Sequence, residues 1–181
     1  MLRLDFEEPG DLTPEEEGRL LDWLEKRLQA GLDGIVLSDY AKGVCSDHFC
    51  QTVIALAHSA QVPVLVDPKG ADWRKYAGCD FITPNVKEMC EAGGKVVPNE
   101  TEPLVELASK ARDDFHIKNV VVTRSEKGVS LINRNEVITE AATARDVFDV
   151  SGAGDTVAAV LLAAVAGGLS LGDALNLSNK A

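Results

Sequence analysis

The segment DVSGAGDT, residues 149–156, places small residues, a carboxylate and a hydroxyl directly before an apolar run. The amides of Gly152, Ala153 and Gly154 would be unpaired donors at the start of the following helix, where the helix dipole also favours an anion. Asp155 lies in the same turn and cannot bind that anion, because like charges repel. It could instead accept a proton from a hydroxyl that attacks phosphorus. The order of these residues therefore fits phosphoryl transfer, with an anion site and a general base side by side.

Two other interpretations of this segment compete with the anion site. A dinucleotide-binding motif, G-x-G-x-x-G, would need a third glycine where Val157 stands, and it would belong in the first strand–helix unit rather than near the end of the chain. A plain helix start, with Ser151 or Asp149 as the cap and the glycines as a bend, is as good an interpretation as the anion site from spacing alone.

The rest of the chain predicts the elements that would position this segment. Short apolar strands alternate with helices, which is typical of an α/β domain whose parallel sheet is covered on both faces. The predicted strands are 34–37, 62–66, 80–83 and 119–123, followed by a hairpin of 129–132 and 136–139. The predicted helices are one between Thr13 and Gly31, then 46–60, 86–92, 103–115, 153–166 and 170–180. No boundary of a second domain is evident, so residues 1–181 are expected to form a single domain.

Polar segments follow the predicted parallel strands. They are Ser38–Gly43, Asp67–Gly70, Thr83–Glu88 and Thr123–Gly128. Because ligands of such sheets bind beyond the carboxyl ends of the strands, these segments should lie together on one rim. The rim would then hold the chemistry of the domain.

Asn85 and Glu88 stand three residues apart and would share one face of a helix that starts there. An amide and a carboxylate suit a water-coordinated Mg²⁺ beside phosphates. The same pair is also an ordinary capping box, and taken alone this second interpretation is favoured. The loop Thr123–Gly128 could bind nucleotide phosphates or be a solvated hairpin turn, and Lys69 places one positive charge on the same rim.

Composition excludes several classes of function. The chain has 181 residues, of which 45% are hydrophobic, enough for one well-packed core. A net charge of -11 argues against a nucleic-acid partner and against an anionic membrane surface, although a small anionic ligand remains possible. The four cysteines lack CxxC spacing, and no signal peptide or membrane-spanning run is evident. A cytoplasmic protein with reduced thiols is expected.

The segments DVSGAGDT, TPNVKE and VTRSEKG resemble those of the ribokinase-like (PfkB) carbohydrate kinases, and the resemblance covers essentially the whole chain. Within that family, SDYAKG and VDPKG together with the last two segments are most similar to the D-glycero-D-manno-heptose 7-phosphate kinases of ADP-heptose (lipopolysaccharide core) synthesis. The resemblance implies a parallel-sheet, three-layer αβα core. It also implies ATP and Mg²⁺ as cofactors, a small sugar phosphate as substrate and a homodimer as a possible assembly.

The resemblance assigns a role to each matching residue. It makes Asp155 the catalytic base and the amides of Gly152, Ala153 and Gly154 the anion hole. The residues that it places near ATP are Asn85, Val86, Lys87, Glu88, Thr123, Ser125 and Gly128, with Lys69 as a phosphate contact and Glu88 also acting on Mg²⁺ through water. Ser125 stands where many family members carry glycine, which is a feature of the heptose subgroup.

The start and the end of the chain depart from the family pattern. Nothing matches the strand-rich N-terminal part that carries the lid and much of the sugar site, and the chain stops before the final nucleotide-contacting segment. A domain truncated at both ends is therefore expected, and it could be inactive alone. Three hypotheses stay open: a heptose 7-phosphate kinase that forms the 1,7-bisphosphate, a non-catalytic nucleotide-binding remnant, or a kinase of the same fold for fructose phosphate, a pentose or a nucleoside.

Overall fold

A computed structural model describes residues 10–142 and 152–181, and its centre is a six-stranded sheet in the order β1-β2-β3-β4-β5-β6. The strands are β1 (Ile35–Ser38), β2 (Val64–Asp67), β3 (Phe81–Ile82), β4 (Asn119–Thr123), β5 (Val129–Ile132) and β6 (Val137–Glu140). Strands β1 to β4 are parallel, and β5 and β6 are antiparallel. The predicted parallel sheet is thus confirmed for its first four strands, and the predicted hairpin extends it.

Most of the helices begin after a residue whose side chain accepts from a free amide of the first turn. The helices are α1 (Pro14–Gln29), α2 (Asp47–Ser59), α3 (Val86–Ala92), α4 (Thr101–Asp114), α5 (Ala153–Ala166) and α6 (Leu171–Ser178). Thr13 and Glu16 form a capping box at α1, and Ser46 and Ser170 cap α2 and α6 through their hydroxyls. These caps explain why the sequence alone located the helices to within a few residues.

Helices cover both faces of the sheet and make a three-layer α/β/α domain. The strand alternation divides the core, since Val64 and Val66 pack on one side while Leu65, between them, packs on the other. Helices α1 to α4 contribute to the first core, and α5 and α6 to the second. This confirms the predicted fold class.

Two predicted boundaries differ from the structure at prolines. Strand β2 begins at Val64 rather than Val62, since Pro63 between them has no amide hydrogen for the ladder. Helix α4 begins at Thr101 rather than Pro103, because proline is tolerated in the first turn, where amides need no partner within the helix. Neither difference moves the rim.

Candidate active site

The carboxyl ends of β1 to β4 lie at the same edge of the sheet, because these strands are parallel neighbours. The four predicted rim segments follow these strands at that edge. Helix α5 packs on the face of the sheet that carries Leu65 and contacts β1 and β2. This edge is called the rim below. It brings the start of α5 next to the polar ends of the first two strands.

Helix α5 begins with an open first turn. Its N-cap is Gly152, with a left-handed φ of 79°, and among the described residues no side chain caps the helix. The Gly152 carbonyl accepts hydrogen bonds from the amide and the hydroxyl of Thr156, at 2.9 and 3.0 Å. The amides of Ala153 and Gly154 lie in the uncapped first turn, where backbone amides can donate hydrogen bonds to an anion. Asp149 and Ser151, the caps of the alternative interpretation, lie outside the described residues.

The described residues give Gly154 no conformational or packing reason to be glycine. Its φ lies outside the left-handed region, and a Cβ placed on it would have no atom of another described part of the chain within 4 Å. Glycine within a helix destabilises it by about 1 kcal/mol relative to alanine. A position that gives up this stability and leaves space among the described residues fits the close approach of a ligand from outside the fold.

Asp155 is exposed at the rim and meets the loop that follows β1. The hydroxyl of Tyr40 donates to both of its carboxylate oxygens, each at 3.4 Å, which are long and weak hydrogen bonds. The segment SDYAKG and the start of α5 therefore meet on the rim. Tyr40 itself was not among the predicted site residues, although its place directly after a strand was a signal that could have found it.

Asp39 anchors the loop that carries Tyr40. Its buried carboxylate accepts hydrogen bonds from the Lys75 ammonium and the Tyr76 hydroxyl, both at 2.5 Å, and from the Ala41 amide at 2.7 Å. Burial opposes the charge on Asp39, but these three donors outweigh it and lower the pKa of Asp39. An open cleft of about 470 Å³ lies beside this loop, and its lining includes Tyr40.

A second group of rim residues lies at the ends of β2 and α3. The Lys69 ammonium is 3.3 Å from a carboxylate oxygen of Glu88, so this lysine is paired rather than isolated. Asp67 accepts a hydrogen bond from the Thr83 hydroxyl at 3.3 Å. Burial raises the pKa of Asp67 to about 6, and the negative charges of Glu88 and Asp155 add to the increase. Carboxylates from three elements therefore share this part of the rim.

We expect Asp67 to make stability fall as the pH rises from about 4 to about 6. Its pKa is higher in the folded protein than the value of 3.8 usual for aspartate, so in this window the folded state binds more protons than the unfolded chain. Asp67→Asn should remove most of this decline. Urea unfolding of both proteins across this pH range measures the effect, and parallel stability curves for the two would contradict it.

Asn85 and Glu88 form the capping box that the sequence analysis gave as an alternative. The Asn85 side chain accepts from the Glu88 amide at 3.0 Å, and the Glu88 carboxylate accepts from the Asn85 amide at 3.1 Å. Val86 begins α3, and exposed Lys87 lies 3.8 Å from Glu91. Within residues 10–142 and 152–181, no group of three or more His, Cys, Asp or Glu residues is arranged to hold a metal directly. A contact of Glu88 with Mg²⁺ through water stays a prediction.

The loop between β4 and β5 is a tight turn next to Asn85. Thr123 pairs with Asn85 through a parallel bridge. Ser125 has a left-handed φ of 54°, a region where glycine is unstrained. Gly128 has a φ of 83°, and a Cβ there would lie 2.0 Å from the Glu140 carbonyl oxygen. The fold therefore requires glycine at 128, independently of any nucleotide.

Arg124 in the same loop is structural. Its guanidinium is buried and donates to the Asn99 side chain at 3.0 Å, to Thr101 at 3.2 Å and to Ser130 at 2.9 Å. It fastens the start of α4 to the hairpin, so its donors are used within the fold. A basic residue in a rim loop had suggested phosphate binding, and burial removes that interpretation for Arg124.

We expect Arg124→Met to lower the free energy of unfolding by about 2–4 kcal/mol, because buried Ser130 and half-buried Asn99 lose a charged donor at once. Arg134→Met is the matched control, since the Arg134 side chain is 81% exposed and its change should cost less than about 1 kcal/mol. Urea denaturation of the three proteins measures both values. Equal stability of the two variants would rule out the anchoring role.

Solved structures share this fold. The tetrameric inhibited form of phosphofructokinase-2 from Escherichia coli superimposes with a TM-score of 0.78 at 18% identity, covering 93% of this chain and 56% of that one. Arabidopsis thaliana ribokinase complexed with ribose and ATP gives a TM-score of 0.72 at 23% identity, covering 93% and 51%. The architecture is thus that of the ribokinase-like α/β/α proteins.

The sequence comparisons identify the family. The pattern of the pfkB family carbohydrate kinases matches residues 10–181, and the chain belongs to that family. Bifunctional protein HldE of Methylobacillus flagellatus is 45% identical over 181 residues, which are 100% of this chain and 37% of that protein. Bifunctional protein HldE of Pelobacter propionicus is 40% identical over 180 residues, or 99% and 36%. The chain therefore spans little more than a third of these curated relatives. In its described part, no helix has the length and apolar character needed to cross a membrane.

Proposed function

We propose that this chain supplies the phosphoryl-transfer centre of an ATP-dependent sugar kinase. The observation that carries the proposal is the first turn of α5, where open amides, an unfilled space at Gly154 and the carboxylate of Asp155 lie together on the rim. Membership of the carbohydrate kinase family supports the same chemistry. We propose this activity for the full-length protein, because the chain spans little more than a third of its curated relatives.

In the proposed reaction, Asp155 accepts the proton of a sugar hydroxyl. The hydroxyl oxygen then forms a bond to the terminal phosphorus of ATP, and the bond from that phosphorus to the bridging oxygen breaks, which releases ADP. The amides of Gly152, Ala153 and Gly154 would stabilise the negative charge on the transferring group. Tyr40, through its contact with Asp155, would hold the carboxylate in place before substrate binds.

The nucleotide would lie along the ends of β3 and β4, where the backbones of Asn85 and Thr123 are paired. Ser125 and Gly128 belong to the loop that follows Thr123. The Lys69 ammonium, which is paired with Glu88 in the structure, would exchange that carboxylate for a phosphate of the nucleotide. Mg²⁺, when bound with ATP, would neutralise phosphate charge, and Glu88 would contact it through water, since one of its carboxylate oxygens is held by the Asn85 amide in the capping box.

We propose heptose 7-phosphate as the acceptor, phosphorylated at its anomeric hydroxyl, and this finer assignment rests on the segments SDYAKG, VDPKG, TPNVKE and VTRSEKG. The test is ADP release with Mg·ATP and a panel of heptose 7-phosphate, fructose 6-phosphate, ribose and a nucleoside. Turnover with the heptose phosphate at least about tenfold above the others would support it. Preference for another sugar would overturn the acceptor and keep the kinase, whereas calorimetric ATP binding without any turnover would indicate a nucleotide-binding remnant.

Gly154→Ala tests the anion site directly. We expect the free energy of unfolding to stay level or rise by up to about 1 kcal/mol, since alanine favours helix and the methyl meets open space. Turnover should fall on the order of 10²-fold, because the methyl group displaces the phosphate from its aligned position.

Gly18→Ala, in the middle of α1, is the matched control for this substitution. Its added Cβ also has open space, so the same gain in stability is expected with no change in turnover. Chemical denaturation and a kinase assay on both variants make the comparison. A fully active Gly154→Ala protein would contradict the anion site. The expected homodimer and the cytoplasmic location stay predictions, and sedimentation checks the first.

A further inference from the structure

Two cysteines, Cys45 and Cys50, lie on either side of the N-cap of α2. Ser46 is the N-cap of this helix, so Cys45 immediately precedes the cap and Cys50 is the fourth helical residue. Side chains at these two positions commonly pack against each other across the first turn of a helix. Here Cys45 packs against the core cluster that contains Cys50, and a side-chain hydrogen bond between the two thiols shifts their pKa values in opposite directions.

The two thiols differ in access and in ease of ionisation. Cys45 is half-buried and lines the cleft beside Tyr40, whereas Cys50 is fully buried. The hydrogen bond from Cys50 lowers the pKa of Cys45, and the Lys75 ammonium adds to this effect, while burial and the Asp39 carboxylate oppose it. The same hydrogen bond, together with burial, raises the pKa of Cys50. A partly exposed thiol with a lowered pKa beside a buried thiol with a raised pKa is the usual arrangement of a reactive and a resolving cysteine.

We propose that Cys45 and Cys50 form a peroxide-sensitive dithiol that closes to an intramolecular disulfide. The Cys45 thiolate attacks one oxygen of hydrogen peroxide, the O–O bond breaks, and the second oxygen leaves with a proton as water. Cys45 is then a sulfenic acid. The Cys50 sulfur attacks the Cys45 sulfur, the S–O bond breaks, and the hydroxyl leaves with the Cys50 proton as a second water. Two thiols are oxidised by two electrons, and one peroxide is reduced to two waters.

The disulfide would act on the loop that meets Asp155. Cys45 is tied to that loop through Lys75, whose ammonium donates to the Cys45 carbonyl at 3.1 Å and to Asp39 at 2.5 Å. Drawing the Cys45 side chain into a covalent link therefore pulls on the anchor that positions Tyr40. Any effect on phosphoryl transfer rests on the proposed function, whereas formation of the disulfide does not.

Oxidation of the full-length protein by hydrogen peroxide tests the proposal. One equivalent of hydrogen peroxide should lower the intact mass by about 2 Da, and dithiothreitol should restore it. The tryptic peptide that follows Lys42 contains both cysteines and should carry the change. An unchanged mass, or a disulfide that involves Cys79 or Cys90, would overturn the inference.

Variants separate the two roles. Cys45→Ser should abolish the mass loss, and Cys50→Ala should leave a sulfenic acid at Cys45 that dimedone labels. Cys90→Ser, at another half-buried cysteine, should still form the disulfide. If Cys45→Ser oxidises like the unchanged protein, the proposal fails. A protein that forms the disulfide but shows no kinase activity when reduced would contradict only the proposed function.

Discussion

Replacing Asp155 by asparagine should reduce turnover by about 10²–10⁴-fold, which is the usual contribution of a general base. The amide of asparagine has nearly the same shape as the carboxylate but cannot accept the proton of the sugar hydroxyl at neutral pH. Affinity for Mg·ATP should change little, because the anion site is made of backbone amides that the substitution leaves in place. The first turn of α5 should keep its conformation, since the cap is Gly152.

Steady-state kinetics give the turnover of the variant, and calorimetry gives its affinity for the nucleotide. Asp173→Asn is the matched control, because Asp173 lies in the first turn of the neighbouring helix α6 and accepts a hydrogen bond from Ser170. It should retain the turnover of the unchanged protein. An Asp155→Asn protein within a few-fold of that turnover would exclude Asp155 as the base and leave the anion site to be explained without it.

Asp39→Ala should lower the free energy of unfolding by about 3–5 kcal/mol, the usual result of removing one partner from a buried ion pair. The substitution leaves the Lys75 ammonium, whose side chain is 19% exposed, without its carboxylate. It also removes the acceptor of the Tyr76 hydroxyl and of the Ala41 amide. The loop with Tyr40 loses its anchor, so turnover should fall as well.

The stability that Asp39 contributes should depend on pH in a defined direction. Because its folded-state pKa is lowered, the contribution is complete above the pKa of aspartate in the unfolded chain and is lost as the pH falls. The difference between the unchanged protein and Asp39→Ala in urea unfolding should therefore shrink in acid. A difference that is constant with pH would contradict the ion pair.

Asp72→Ala is the control for this prediction. Asp72 also pairs with a basic residue, Arg74, but its side chain is 55% exposed and the Arg74 side chain is 82% exposed. A solvent-exposed ion pair contributes about 0–1 kcal/mol to the free energy of unfolding, so this variant should be nearly as stable as the unchanged protein. Equal losses for Asp39→Ala and Asp72→Ala would mean that burial is not what makes the first pair strong.

Local chemistry made much of the fold predictable. Capping residues such as Thr13 and Ser46 act within a few positions of themselves, so the sequence located the helix starts. Apolar runs of four or five residues located the strands, and the order of strands and helices was enough for the sheet class. The candidate base and anion site could also be predicted from the sequence, since Gly152 to Asp155 are contiguous and their chemistry depends on one turn of backbone.

Contacts between distant residues were decided only by the tertiary structure. The sequence could not show that Asp155 meets Tyr40, that Asp67 shares its surroundings with Glu88, or that Asp39 pairs with Lys75, because each contact joins side chains far apart in the chain. Arg124 is a further example. Its charge and its place in a rim loop were compatible with phosphate binding, but the structure shows that it is buried and anchors the loop. Residue type and local spacing determine which chemistry a side chain can perform. Burial and long-range packing determine which side chains remain free to perform it, because they set the partner, the solvent and the pKa of each group.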